Sequence, residues 1–171
     1  MKTTKNTAQI GTVSHGTMRP QDLIPCFLEE LGARQVNLSK FALKFRELQS
    51  EADAFLHKLH VWGVILDDND PWWDSEESAQ MLEALFDALG ELAPPYCYFG
   101  SHPGDGCDYG FWPDLEEIDG RSWDDELIKV SDLSEVPEDY CGDVCIVNDH
   151  GNMTIGFVDD SGSFVASWAI V

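Results

Sequence analysis

Residues 143–171 read DVCIVNDHGNMTIGFVDDSGSFVASWAIV, and this stretch decides the fold class. Three apolar runs, Asp143–Asn148, Met153–Val158 and Ser163–Val171, are separated by Asp149-His150-Gly151-Asn152 and Asp159-Asp160-Ser161-Gly162. Short apolar runs bounded by Asp, Asn and Gly are hairpin signals, because Gly takes the positive φ that tight turns need. The stretch predicts a three-strand antiparallel meander.

Upstream of it, Tyr96–Gly100 and Tyr109–Trp112 read as two further short strands. Earlier still the apolar period changes from two to about 3.6, the period of a helix. Leu23, Ile24, Phe27, Leu28 and Leu31 predict a helix that starts near Pro20 and stops at Gly32, with Thr17 or Ser14 as its cap. Pro25 is either a first-turn proline of that helix or a kink in it. Phe41, Phe45, Leu48, Ala52, Phe55, Leu56 and Leu59 predict a second helix over Ser39–His60. Val61–Leu66 reads as a short strand or as the end of that helix. Met81, Leu82, Leu85, Leu89 and Leu92 predict a third over Ser75–Leu92, with acids in its first turn. The expected fold is α+β: about three N-terminal helices packed on a C-terminal antiparallel sheet that ends in the meander. Residues 1–13 read as a flexible arm. Residues 14–171 read as a single α+β domain, helical over 14–95 and β-rich over 96–171.

The 171 residues include 32 acids and 10 bases, a formal net charge of −22. The charge is unevenly placed. Residues 1–60 hold eight bases and six acids, whereas residues 61–171 hold two bases and 26 acids. Affinity for phosphates needs Lys and Arg, so the composition argues against direct binding of nucleic acid or anionic lipid. With 43% hydrophobic residues, six Trp and nine Phe, the chain has material for a core. No apolar run approaches the ~20 residues of a membrane span. Met1–Ile10 lacks the apolar run of a secretory signal, so a cytoplasmic location is expected. Cys26, Cys97, Cys107, Cys141 and Cys145 are odd in number and irregularly spaced, and read as reduced thiols, mostly buried.

Three stretches carry a resemblance: Ser14-His15-Gly16-Thr17-Met18-Arg19-Pro20-Gln21-Asp22-Leu23-Ile24-Pro25; Gly100-Ser101-His102-Pro103-Gly104-Asp105-Gly106 with Asp108-Tyr109-Gly110-Phe111-Trp112; and Val147-Asn148-Asp149-His150-Gly151-Asn152-Met153-Thr154. Together they resemble a family of small acidic proteins encoded on bacterial phages and plasmids. The resemblance covers most of the chain. It implies context alone, a mobile element in a bacterial cytoplasm, and transfers no catalytic residue.

Two kinds of site compete. The segment Gly100–Gly110 sets His102, Asp105 and Asp108 among glycines and aromatics. Imidazole and carboxylates suit several divalent ions, and His102 could act as a general base. The spacing matches no catalytic or metal signature, and Gly-Asp-Gly is ordinary turn chemistry. Neither Cys141 with Cys145 nor Cys97 with Cys107 has the paired spacing of structural zinc. His15 with Ser14, Thr17 and Cys26 invites a nucleophile reading, which a capping hydroxyl explains with less. His57 and His60 lie one helical turn apart and could ligate a metal, but read as boundary residues of the amphipathic second helix. His150 reads as a turn residue. No metal and no cofactor are expected.

The acidic surface draws its strength from number. Asp67, Asp68, Asp70, Asp74, Glu76 and Glu77 form one cluster, Asp114, Glu116, Glu117 and Asp119 a second, and Asp124, Asp125 and Glu126 a third. Trp72, Trp73 and Trp123 lie beside them, and Trp is enriched at interface hot spots. Duplex DNA carries one charge per ~1.7 Å of axis, and a folded body with this acid excess reaches a comparable density. Carboxylates can then stand in for phosphates before the Arg and Lys of a basic cleft. The expected function is a non-enzymatic, acidic protein-binding module of a mobile element. Its concrete form is a DNA-mimic inhibitor of a host nuclease or another nucleic-acid-binding defence protein. The alternatives are a small metal-dependent or hydrolytic enzyme using Gly100–Gly110, an accessory module of the element's own protein complex, and an acidic coat that serves solubility.

Overall fold

The computed structural model describes residues 8–33, 67–124 and 126–170. In chain order these form β1 (Gly11–His15), α1 (Pro20–Ala33), α2 (Glu76–Gly90), β2 (Cys97–His102) and β3 (Asp105–Pro113). Then follow α3 (Leu115–Trp123), β4 (Leu127–Val130), β5 (Gly142–Val147), β6 (Met153–Val158) and β7 (Phe164–Ile170). The protein is α+β, with three α-helices and two sheets among the described residues. Sheet A has the order β1-β3-β2 and is antiparallel throughout. Sheet B has the order β4-β5-β6-β7 and is mixed, because β4 runs parallel to β5 while β5, β6 and β7 alternate.

The expectation of helices followed by one antiparallel sheet needs correction. β1 precedes α1, α3 intervenes between β3 and β4, and the strands divide into two sheets. The causes are long-range. β1 reads Gly-Thr-Val-Ser-His, too short and polar to announce a strand, and its partner β3 lies over ninety residues away. β4 is four residues long, and the eleven residues 131–141 make the crossover of its parallel pairing with β5, near the shortest length such a connection takes. Gly11–Val13, assigned to the arm by sequence, are strand residues, and Ala8 is buried with its N–H donating to the Leu92 carbonyl. Residues 1–7, the helix expected over Ser39–His60 and the run Val61–Leu66 lie outside the described residues.

Two cores organise the described residues. In the first, α1 and α2 pack on each other and on sheet A. Pro20 pre-sets the first turn of α1, and the helix continues through Pro25 to bury Leu23, Ile24, Phe27 and Leu31. Phe27 meets Phe86 at 5.2 Å, Phe99 at 5.0 Å and Tyr109 at 6.1 Å between ring centroids, all edge-on. That geometry suits the aromatic quadrupole. In the second core, Ile118 of α3 packs with Leu127, Cys145, Ile155 and Trp168 of sheet B.

The segment Pro95-Tyr96 joins the two. The Trp168 indole donates to the Pro95 carbonyl at 2.7 Å, and the Tyr96 hydroxyl donates to Asp143 Oδ2 at 2.5 Å. Tyr96 has φ +61°, a left-handed conformation that costs an L-residue energy. The hydroxyl bond and the Asp114 N–H donated to the Tyr96 carbonyl hold it there. Burial and that hydrogen bond to Asp143 raise the pKa of the Tyr96 phenol.

Candidate functional site

Asp67–Glu77 is built from turns and caps. Asp67 accepts from the Asn69 backbone and side-chain amides, and Asp70 caps a 3₁₀ turn at Pro71–Asp74 by accepting from the Trp72 N–H at 2.9 Å. Ser75 then caps α2, accepting from the Ser78 N–H at 3.2 Å. Asp68 receives Arg19 at 3.2 Å. Asp67, Asp68, Asp74, Glu76 and Glu77 are exposed. Trp73 is not an exposed anchor: it is 7% exposed, belongs to the first core, and donates its indole N–H to the Asp67 carbonyl. Trp72 is half-buried against it, ring centroids 5.0 Å apart.

Asp114–Glu126 contains a helix that its acids hide from a sequence reading. Asp114 caps α3 by accepting from the Glu117 N–H at 2.9 Å, and Glu116 and Glu117 sit in the first turn, where the helix dipole favours them. The two bases of residues 61–171 both bind here. Arg121 pairs with Glu117 at 3.7 Å and with Glu126, and Lys129 pairs with Asp119 at 2.8 Å. These contacts raise the pKa of both bases, chiefly through the hydrogen bonds to Glu126 and Asp119. One flank of α3 is therefore compensated. Among the described residues no ion pair reaches Glu116 or Asp124. Glu116, Gly120 and Trp123 follow at four- and three-residue steps and so share a helix face. Trp123 is 87% exposed, and Leu115 at the start of the helix is 57% exposed. Asp125 lies outside the described residues.

The Gly100–Gly110 segment is a hairpin rather than a loop. β2 ends at His102 and β3 begins at Asp105, leaving Pro103-Gly104 as the turn. His102 Nδ1 accepts from the Gly104 N–H at 3.0 Å, and its ring meets Trp112 edge-on at 4.7 Å. Asp105 accepts from the Cys107 N–H, which lowers its pKa, and its carboxylate lies 3.4 Å from His15 Nε2. Asp108 takes the Thr12 hydroxyl on Oδ2 at 3.3 Å, while Oδ1 is buried without a hydrogen bond. Sequence reasoning did not group His15 with this segment. Only the β1–β3 pairing, which sets His15 opposite Asp108, brings it there. Among the described residues no three His, Cys, Asp or Glu side chains are placed to hold a metal ion.

The other candidates have local tasks. The Cys26 thiol donates to the Val13 carbonyl at 3.2 Å, and burial raises its pKa. Ser14 is buried in β1, and Thr17 accepts from the Arg19 N–H and donates to Asp22 ahead of α1. Burial pushes the Cys97 thiol up to about 12 and raises that of Cys145. His150 donates its N–H to Asn148 within the β5–β6 turn. His57 and His60 lie outside the described residues. Comparison of the chain with protein-family models, curated proteins and solved structures finds no match.

Proposed function

We propose that this chain is an acidic protein-binding module that presents α3 to a basic protein surface. The observation that carries the reading is Trp123, 87% exposed on a helix whose acids outnumber the two bases held there. An indole held in water is a ready anchor, and cations stack on its face. Glu116 and Asp124 beside it would meet the Lys or Arg of the partner. The exposed acids of Asp67–Glu77 extend the acidic character to the start of α2. In its concrete form the module belongs to a bacterial mobile element, acts in the cytoplasm, and occupies the nucleic-acid cleft of a host nuclease or related defence protein as a DNA mimic. The enzymatic alternative needs His102, Asp105 and Asp108 to converge. Each is instead engaged in its own turn or cross-strand bond.

The test is capture of the partner from bacterial lysate on the immobilised chain. Duplex DNA should displace the partner, and binding should weaken steeply between about 0.1 M and about 1 M salt as the Debye length shrinks from ~10 to ~3 Å. Trp123→Ala should weaken binding at least ~10-fold while changing stability by less than ~0.5 kcal/mol, as surface substitutions do. A partner held equally well at high salt, in the presence of DNA, and by Trp123→Ala would exclude the proposal.

A further inference from the structure

Among the described residues sheet B ends in a strand with a single edge guard. β7 has β6 on one side and no strand on the other among the described residues. Its sequence, FVASWAI, carries no charge and no proline, in a chain of net charge −22. Val165, Ala166, Ser167, Ala169 and Ile170 are exposed. Proteins usually guard such edges with Lys, Pro, short strands or bulges, because a row of unpaired N–H and C=O groups templates another strand. The opposite edge, β4, is four residues long and carries Lys129. β7 has one such device, a bulge where Ala166 and Trp168 pair with the adjacent Gly156 and Ile155 and leave Ser167 over.

We infer that β7 is a self-association edge, on which two copies of the chain pair β7 with β7 antiparallel about a two-fold axis to join their sheets. One observation favours a second copy as the occupant, and two more fix how it pairs. The uncharged strand lets two strongly negative chains approach without bringing carboxylates together there. Antiparallel pairing also sends the acidic turns at Asp159-Asp160 to opposite ends of the joined strands. Seven residues at ~3.4 Å each separate those turns by roughly 24 Å, beyond the ~10 Å Debye length at 0.1 M salt, whereas parallel pairing would set them side by side. Finally, β7 against β4 would be head-to-tail and open-ended, and Lys129 stands on that edge, so the closed two-fold pair is favoured. The exposed flank of α3, with Trp123, lies off the β7 edge, the helix making its main contacts with sheet B at β4.

Sedimentation equilibrium of the full chain at about 0.05 M and about 0.5 M salt tests this. The expected result is a species of twice the 19.1 kDa chain mass whose dissociation constant falls as salt screens the like charges. Val165→Lys and Ala169→Lys should each raise that constant at least ~10-fold while keeping a cooperative melt, and Trp123→Ala should leave it unchanged. Should the lysine variants unfold, hydrogen exchange of the unaltered chain decides: amides of residues 164–170 should gain protection with rising concentration. A monomer at every concentration in high salt overturns the inference. So does an undiminished dimer in both folded lysine variants, or exchange in β7 independent of concentration.

Discussion

At residue 110 even a methyl group has no room. A Cβ there would stand 2.1 Å from the Gly11 carbonyl oxygen, well inside contact distance, because β1 lies directly on the β3 backbone. Gly120 on α3 has open space around the same position. The two glycines therefore predict opposite outcomes. Gly110→Ala should cost about 3 kcal/mol, a steric effect in the upper range of single substitutions. Gly120→Ala should gain about 0.5–1 kcal/mol from helix propensity. Urea denaturation of both variants checks the pair. Equal midpoints would mean that β1 does not dock on β3 as described.

At the scale of elements, α2 depends on its cap. Ser75→Ala removes the acceptor for the Ser78 N–H and should cost about 1 kcal/mol, while Ser75→Asp should retain most of it, both read from urea midpoints. This helix was legible in the sequence because cap, acidic first turn and apolar stripe agree. α1 was legible from Pro20, the acidic Asp22 and its apolar stripe, whereas the cap expected at Thr17 or Ser14 is not formed, since Ser14 lies in β1 and Thr17 accepts from the Arg19 N–H ahead of the helix. The strands of residues 142–170 were legible from Gly-bearing turns. α3 was not, because nine residues with three acids and a glycine read as a charged loop, and its one buried contact, Ile118, is too little for periodicity. β1 and β4 were hidden because neither alternates and each is defined by a partner distant in sequence. At the candidate site the sequence found the acids and Trp123. It could not tell Trp72 from Trp73, since adjacent residues point in different directions and only the packed core decides which is buried.

For the whole molecule, the acids divide into those with structural tasks and those without. Asp132 and Asp159 accept hydrogen bonds from Ser134, and from Ser161 and Ser163, which lower their pKa values in the folded state. A depressed folded pKa contributes stability that is present above the ordinary aspartate value of ~4 and is lost as pH falls through the lowered one. Stability should therefore decline below about pH 4, and less steeply in Asp159→Asn than in the unaltered chain. Urea midpoints measured from pH 5 to pH 2 check this, and a slope unchanged by the substitution would mean that the turn carries no such linkage.

The Trp168–Pro95 bond spans 73 residues, and Thr12 meets Asp108 across 96. A ribosome adding about 5–20 residues per second needs roughly 4–15 s to deliver Trp168 once Pro95 has appeared. Early in that interval β1 waits for β3, for most of it Tyr96 lacks its Asp143 acceptor, and until its end the second core lacks Trp168, so apolar surface stands open to neighbouring nascent chains. Native pairings this remote in sequence also fold slowly once complete, in milliseconds to seconds. The surplus carboxylates, synthesised mostly between α2 and β5, are in place before the last strand emerges. Their mutual repulsion keeps unfinished copies apart during the wait, a service to biosynthesis that is separate from any partner the finished protein binds.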